Sequence, residues 1–381
     1  MFLLTILVAP LAAPRPAYAV VDEARDALER ARAFLTTEDG LVGVRPIVRY
    51  DSAFGLALGA RVFDRRTLGD DSLIDARARV GTSGGFAAAL HLQAMRGLVG
   101  IHGRVERNPR AIFAGLNGET LEDLEAMGLG RTRFDVDAFN TGVDSELRLV
   151  DTVTLRAAGD FVFADFEPGS GYKDDPPIDQ VYDTATIPGF DEGTKLIRGE
   201  AAVEVDTRKL ERLGTGFSLV SSASISRGVM DDPSRFVTLR SDARVYLGSD
   251  RQAFVLRLRG GLIEPLTDAP IPFDQLLSPT GAQGLRGISS GERRGPTELV
   301  GSLEYHRQAT RSLDAVVFVD EGGAFGEDFD GLAWDNLEPS VGVGVRHNKH
   351  AREDGAGIPD AGIILAWAPD HGVNLLFSVG L

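Results

Sequence analysis

The chain has 381 residues, enough for two or three average soluble domains or one large all-β unit, and 45 glycines, well above the usual share. Its net charge of −16 excludes a nucleic-acid partner held by excess Lys and Arg, and disfavours simple adsorption to anionic lipid. It has no cysteine, which removes disulfides, thiolate chemistry and cysteine metal sites.

The first segment, MFLLTILVAPLAAPRPAYA, has an apolar core over Phe2–Ala13 and ends in Ala17-Tyr18-Ala19, an A-x-A cleavage pattern without a basic start. Residues 1–19 are expected to be a signal peptide and 20–44 a short periplasmic helical segment. Within the latter, Ala24, Ala27, Leu28, Ala31 and Leu35 have helical spacing, closed by Gly40. No later stretch reaches the roughly 20 apolar residues that a membrane-spanning helix needs.

From Arg45 the period changes to two. In RQAFVLRLRGGL, Phe254, Leu256, Leu258 and Leu262 share one face, and Arg251, Arg257 and Arg259 the other. RFVTLRSDARVYL and TKLIRGEAAVEVD repeat the pattern. A soluble sandwich buries such an apolar face, whereas an outer-membrane barrel turns it to lipid. Three features favour the barrel. The strands are longer than the roughly 5 to 6 residues usual in globular proteins. The polar face carries both charge signs. Tight turns at 247–251 and 149–153 alternate with long connections at 108–129, 165–193 and 264–296.

The expected strands are 45–52, 54–64, 72–81, 84–95, 98–107, 131–149, 152–164, 195–207, 215–227, 235–247, 251–263, 297–307, 313–324, 338–348, 360–368 and 372–381. The expected fold is therefore all-β: a closed antiparallel transmembrane β-barrel of about 16 strands over 45–381, with one short N-terminal periplasmic helix. In FDVDAFNTGVDSELRL the apolar parity switches near Asn140, which a bulge or a hairpin would explain.

GAQGLRGISSGERRGPTELVGSLEYH (281–306) places a glycine-rich, arginine-bearing run before a strand. Its Leu285-Arg286-Gly287-Ile288, the following Glu304 and the Phe318-x-Asp320-x-Gly322 signature resemble the barrel of the BamA/TamA-type outer-membrane assembly family, also called the bacterial surface antigen family. The resemblance is good over 265–381 and at 46–60; elsewhere it is one of alternating strands. It implies that the sixth extracellular loop folds into the lumen. Parity puts Glu304, Phe318 and Asp320 on the lumenal face, where Arg286 would bridge two carboxylates, and Gly287 lets the loop approach the wall. Arg286, Gly287, Glu304, Phe318, Asp320 and Gly322 are thus the expected lumenal latch. Two departures stand out. Ile288 replaces an aromatic, implying weaker packing, and the chain ends in Leu381 rather than an aromatic, leaving Phe377 within the last strand as the C-terminal strand signal. Segment 20–44 is too short for the periplasmic POTRA domains of assembly members.

GISSG satisfies G-x-S-x-G at Ser289, but no helix follows, so loop flexibility is the better reading and no catalytic residue is assigned. The six histidines are scattered; His347 and His350 have an i, i+3 spacing best read as a loop rim. Asp174, Asp175, Asp179 and Asp183 read as surface charge rather than a Ca²⁺ loop. No metal site or cofactor is expected. The resemblance implies help in inserting or translocating proteins or lipids. Expected partners are outer-membrane lipid, outer-membrane client proteins and periplasmic assembly factors. A passive pore or structural barrel with a loop-narrowed lumen is the alternative, and an enzyme has only GISSG behind it.

Overall fold

The computed structural model describes residues 37, 41–51, 54–67, 69, 72–116, 119, 121–208, 214–249, 251–310, 313–347 and 362–379. The expected signal peptide, the helix at 22–35, His350 and Leu381 lie outside them.

Sixteen strands form: β1 (Val42–Asp51), β2 (Gly55–Asp64), β3 (Leu73–Gly81), β4 (Phe86–Ala94), β5 (Val99–Phe113), β6 (Thr132–Val150), β7 (Val153–Glu167), β8 (Thr194–Asp206), β9 (Gly216–Gly228), β10 (Arg235–Ser249), β11 (Gln252–Pro265), β12 (Thr297–Gln308), β13 (Leu313–Phe325), β14 (Glu338–His347), β15 (Gly362–Ala368) and β16 (Gly372–Val379). Each pairs antiparallel with its sequence neighbours, and β1 pairs β16, so the sheet closes. This is the barrel expected from the alternation. β1 begins three residues before the expected boundary at Arg45.

Register shows how a period of two becomes two walls. Leu256, Leu303, Val319, Val341, Trp367 and Val373 lie directly opposite one another from β11 to β16. All six are exposed, an apolar row on the outer wall. One residue along, Arg257, Ser302, Asp320 and Ser340 make a polar row on the inner wall. Directly opposite residues share a face, so each row is continuous across strands. Apolar side chains that no protein covers are what a strand presents to hydrocarbon.

The long connections, 114–131, 168–193 and 266–296, leave one end of the barrel together. Beneath them Phe113, Phe134, Phe166, Phe190 and Phe273 form a buried cluster with Ile178 and Ile187. That cluster accounts for the parity switch. β6 passes Asn140 in unbroken register with both neighbours; the irregularities lie at Asn108/Ala111 and Arg148/Val150. Neither a hairpin nor a bulge interrupts the strand at Asn140. Instead its environment changes. Phe139, Val143 and Leu147 face outward, while Phe134 and Val136 face inward toward the aromatic cluster. For the same reason β5 runs on to Phe113, beyond the expected end at 107.

Replacing Leu256 by arginine is expected to cost about 2–4 kcal/mol of folding stability in lipid vesicles. Ser224→Arg on the lumenal wall should cost far less. Chemical unfolding of the two variants checks the assignment of the walls.

Candidate functional site

The connection between β11 and β12, residues 266–296, is loop 6. It does not lie over the mouth but turns into the barrel, and Leu285, Arg286 and Ile288 are all buried. Arg286 donates from Nε to Asp320 Oδ2 at 2.9 Å and from Nη2 to Asp320 Oδ1 at 2.6 Å. Its Nη1 reaches Glu304 Oε1 at 2.8 Å. The guanidinium also stacks 3.4 Å above the Phe318 ring. One arginine therefore engages two carboxylates and an aromatic face on β12 and β13. The fork geometry suits a bidentate carboxylate, and the ring face attracts the cation.

The backbone around it is held as tightly. Asn374 of β16 donates from Nδ2 to the Arg286 carbonyl at 2.9 Å. The Gly287 N–H donates to Ser340 Oγ of β14 at 2.7 Å. A Cβ on Gly287 would lie 2.8 Å from the Trp367 carbonyl carbon and 2.9 Å from Ala368 Cβ, so only glycine allows this approach. Gly322 is similarly constrained: a Cβ there would lie 2.8 Å from Val300 Cα on the next strand. Ile288, where the resemblance has an aromatic, is buried with Leu285, Val300 and Ala368. The aromatic contact to the arginine comes from Phe318 instead. Phe377 is placed on the outer wall, paired with Tyr50 of β1.

Loop 6 has a second set of anchors that the motif does not announce. Arg293 donates to Glu338 at 2.8 Å and to the Glu119 carbonyl at 2.6 Å. Arg294 donates to the Ile112 carbonyl at 2.8 Å, and burial pushes its guanidinium down to about 10 despite nearby Asp274. His371, in the turn between β15 and β16, holds Glu292 at 2.9 Å through Nδ1 and Glu338 at 3.1 Å through Nε2. Burial disfavours its charged form, but the hydrogen bonds to Glu292 and Glu338 outweigh that and raise it to about 9. Asp175 is not surface charge, as the sequence led us to expect. It is buried and clamped by Arg131 at 2.9 Å and Arg133 at 2.7 Å. Sequence spacing carries no signal for these contacts, because the partners come from loops and strands far apart in the chain.

Other histidines also have partners. His102 of β5 bridges Asp144 at 2.9 Å and Asp160 at 2.7 Å, and His91 of β4 reaches Asp144 at 3.2 Å. A polar cavity of about 240 Å³ lies between the wall and the underside of loop 6, lined by Arg198, Arg240, Ser222, Thr238 and Gln275 among others. Ser289, the formal nucleophile of GISSG, sits in a turn of loop 6 where its N–H donates to Glu292.

A closed antiparallel barrel with an apolar outer wall, a charged lumen and a loop folded into that lumen is an integral outer-membrane β-barrel. Within that class the chain has the fold of the BamA-type barrels. It superimposes on BamA from Haemophilus ducreyi lacking POTRA domains 1-3 with a TM-score of 0.57 at 13% identity, over 99% of this chain and 80% of that one. CdiB from Escherichia coli matches with a TM-score of 0.55 at 13% identity, and CdiB from Acinetobacter baumannii with 0.52 at 12%, each over 89% of this chain. The chain spans 62% and 59% of the length of those two CdiB proteins. No family model and no curated protein sequence matches it.

Arg286→Ala strands the fully buried Asp320 carboxylate, and removal of one partner from a buried pair costs about 3–5 kcal/mol. The folded band in detergent gels should convert to the unfolded one at a clearly lower temperature, and Arg286→Lys should recover only part of the loss. His371 gives a pH signature. Its folded value, about 9, lies above the ordinary 6.5, so its stabilising contribution is complete below about 6.5 and is lost as pH rises through about 9. The unfolding midpoint should fall over that range in the wild type, and His371→Gln should flatten the fall.

Proposed function

We propose that this barrel assists the insertion of proteins into the outer membrane, or their passage across it, by opening between β1 and β16. The observation that carries this reading is the closing seam. Among the described residues β1 meets β16 only at Val48–Tyr50 against Phe377–Val379. By contrast, β10 and β11 are in register from Phe236↔Pro265 to Ser249↔Gln252. Strand separation costs least where the fewest ladder bonds must break, and an exposed strand edge templates an incoming strand by β-augmentation. The shared fold with BamA and CdiB supports the reading.

Arg286, Gly287, Glu304, Phe318, Asp320 and Gly322 act here as a lumenal latch. Through them and their neighbours, loop 6 touches β12, β13, β14, β15 and β16, so the strands on one side of the seam are braced together. A passive pore has less support, because loop 6 and the buried phenylalanine cluster occupy the long-loop end of the lumen.

Tyr50 and Phe377 are registered partners, at a separation that suits a disulfide, and the chain has no cysteine of its own. In a strain lacking this protein, a defined set of other outer-membrane or surface proteins should be depleted. The Tyr50→Cys/Phe377→Cys variant should restore them when reduced and fail when oxidised. Full restoration by the locked barrel, or an unchanged outer-membrane proteome, would contradict the proposal.

A further inference from the structure

Loop 6 covers a polar cavity of about 240 Å³ on the lumenal face of β8, β9 and β10. Strand register assembles its floor. Glu200 of β8 lies directly opposite Ser224 of β9, which lies opposite Thr238 of β10; two residues along, Ser222 lies opposite Arg240. Arg198 of β8 lines the cavity beside them, and Gln275 of loop 6 forms part of the cover. The floor residues point inward, because Ile197, Ile225 and Leu239, their neighbours along the strands, are exposed on the outer wall.

What sets this floor apart is unused bonding capacity. Elsewhere on the same wall the cations are matched: Arg244 and Arg257 donate to Asp242 at 3.1 Å and 2.6 Å, and Arg259 to Glu298 at 2.9 Å. Arg240 makes no hydrogen bond or ion pair with the described residues. Glu298 and Glu200 attract it through space, but Glu298 is already held by the Arg259 fork. Arg198 donates to two neutral groups, Ser226 Oγ at 3.3 Å and the Gln275 amide oxygen. Asp160, opposite Arg198 on β7, is engaged by His102 at 2.7 Å. The side chains of Glu200, Ser222, Ser224 and Thr238 also bond to none of the described residues. Asp274 at the cavity's edge is satisfied within the protein, by Thr194 and Gln275, each at 2.6 Å.

Polar groups without protein partners meet water or a ligand. The cavity's 240 Å³ is the share of about eight waters at roughly 30 Å³ each, and is comparable to one sugar ring with its substituents. The residue types favour a ligand. A guanidinium fork with no carboxylate at ion-pair distance matches the two oxygens of an incoming one. The serine and threonine hydroxyls beside it both donate and accept, as the hydroxyls of a sugar do, and Glu200 adds an acceptor. On the floor two arginines face one glutamate, which suits a ligand with a single negative charge. Paired strands hold these groups in place, so the site is formed before a ligand arrives.

We propose that this cavity binds a sugar acid, with its carboxylate on Arg240 and Arg198 and its hydroxyls on Ser222, Ser224, Thr238 and Glu200. The site is independent of the assembly reading, because it is built on β8–β10 and does not involve the β1–β16 seam. The sugar acid is either free in solution or a residue of an acidic glycan, and the test separates the two.

The full chain, folded in zwitterionic detergent, is titrated by calorimetry with galacturonate, galactose, acetate and trigalacturonate. Galactose lacks the anion and acetate lacks the hydroxyls, so both should bind far more weakly than galacturonate. Arg240→Gln should weaken galacturonate binding about ten-fold or more, and Thr238→Val should weaken it to a smaller extent. Neither side chain bonds to the described residues, so both variants should keep the wild-type temperature of conversion in detergent gels. Loss of binding with that temperature unchanged is loss of the site and not of the fold. Tighter binding of trigalacturonate than of galacturonate assigns a glycan; the reverse assigns the free sugar acid. Absence of binding by both overturns the proposal. So does acetate or the zwitterion serine binding as well as galacturonate, or an affinity unchanged in Arg240→Gln.

Discussion

In hydrocarbon every backbone N–H and C=O must find a partner within the protein, at several kcal/mol for each that does not. The rest of this structure follows from that constraint. It requires closure, and closure here means that β1 must meet β16. It fixes the alternation of apolar outer rows and polar inner rows, because each strand has lipid on one face and lumen on the other. It also makes the seam the weak place. There the described ladder is three residues long, while β10 and β11 are in register along their whole shared length.

The two sides of that seam are built differently. On the side of β12 to β16, loop 6 is folded inward and held by Arg286 on two carboxylates and a phenylalanine ring, with Gly287 against the wall. A second set of contacts, from Arg293, Arg294 and the Glu292–His371–Glu338 chain, ties the same loop to the 114–131 connection, to β5 and β14, and to the turn between β15 and β16. On the side of β1 to β3 the inner wall carries arginines in register and glycines such as Gly59, whose backbone lies close against Arg79. The half braced by loop 6 therefore meets β1 at one short described ladder. Opening at that ladder would leave the braced half intact.

Much of this was legible in the sequence, for a physical reason. Strand alternation is local, so parity put Glu304, Phe318 and Asp320 on the lumenal face, and the structure gathers them around Arg286. What escaped was non-local. The neighbours of Ile288, Val300 and Ala368, could not be read because they come from two other strands. Asp175 looked like surface charge because its clamps, Arg131 and Arg133, lie more than forty residues upstream. The parity switch in β6 invited a bulge or a hairpin. Periodicity records which face is apolar, and cannot tell lipid outside from an aromatic cluster inside.

The measurement that tests the central claim most directly is backbone amide exchange of the folded barrel in lipid nanodiscs, compared strand by strand. The account predicts that amides of Val48–Tyr50 and Phe377–Val379 exchange far faster than those in the middle of β10 and β11. Equal protection at the seam and at β10–β11 would contradict it.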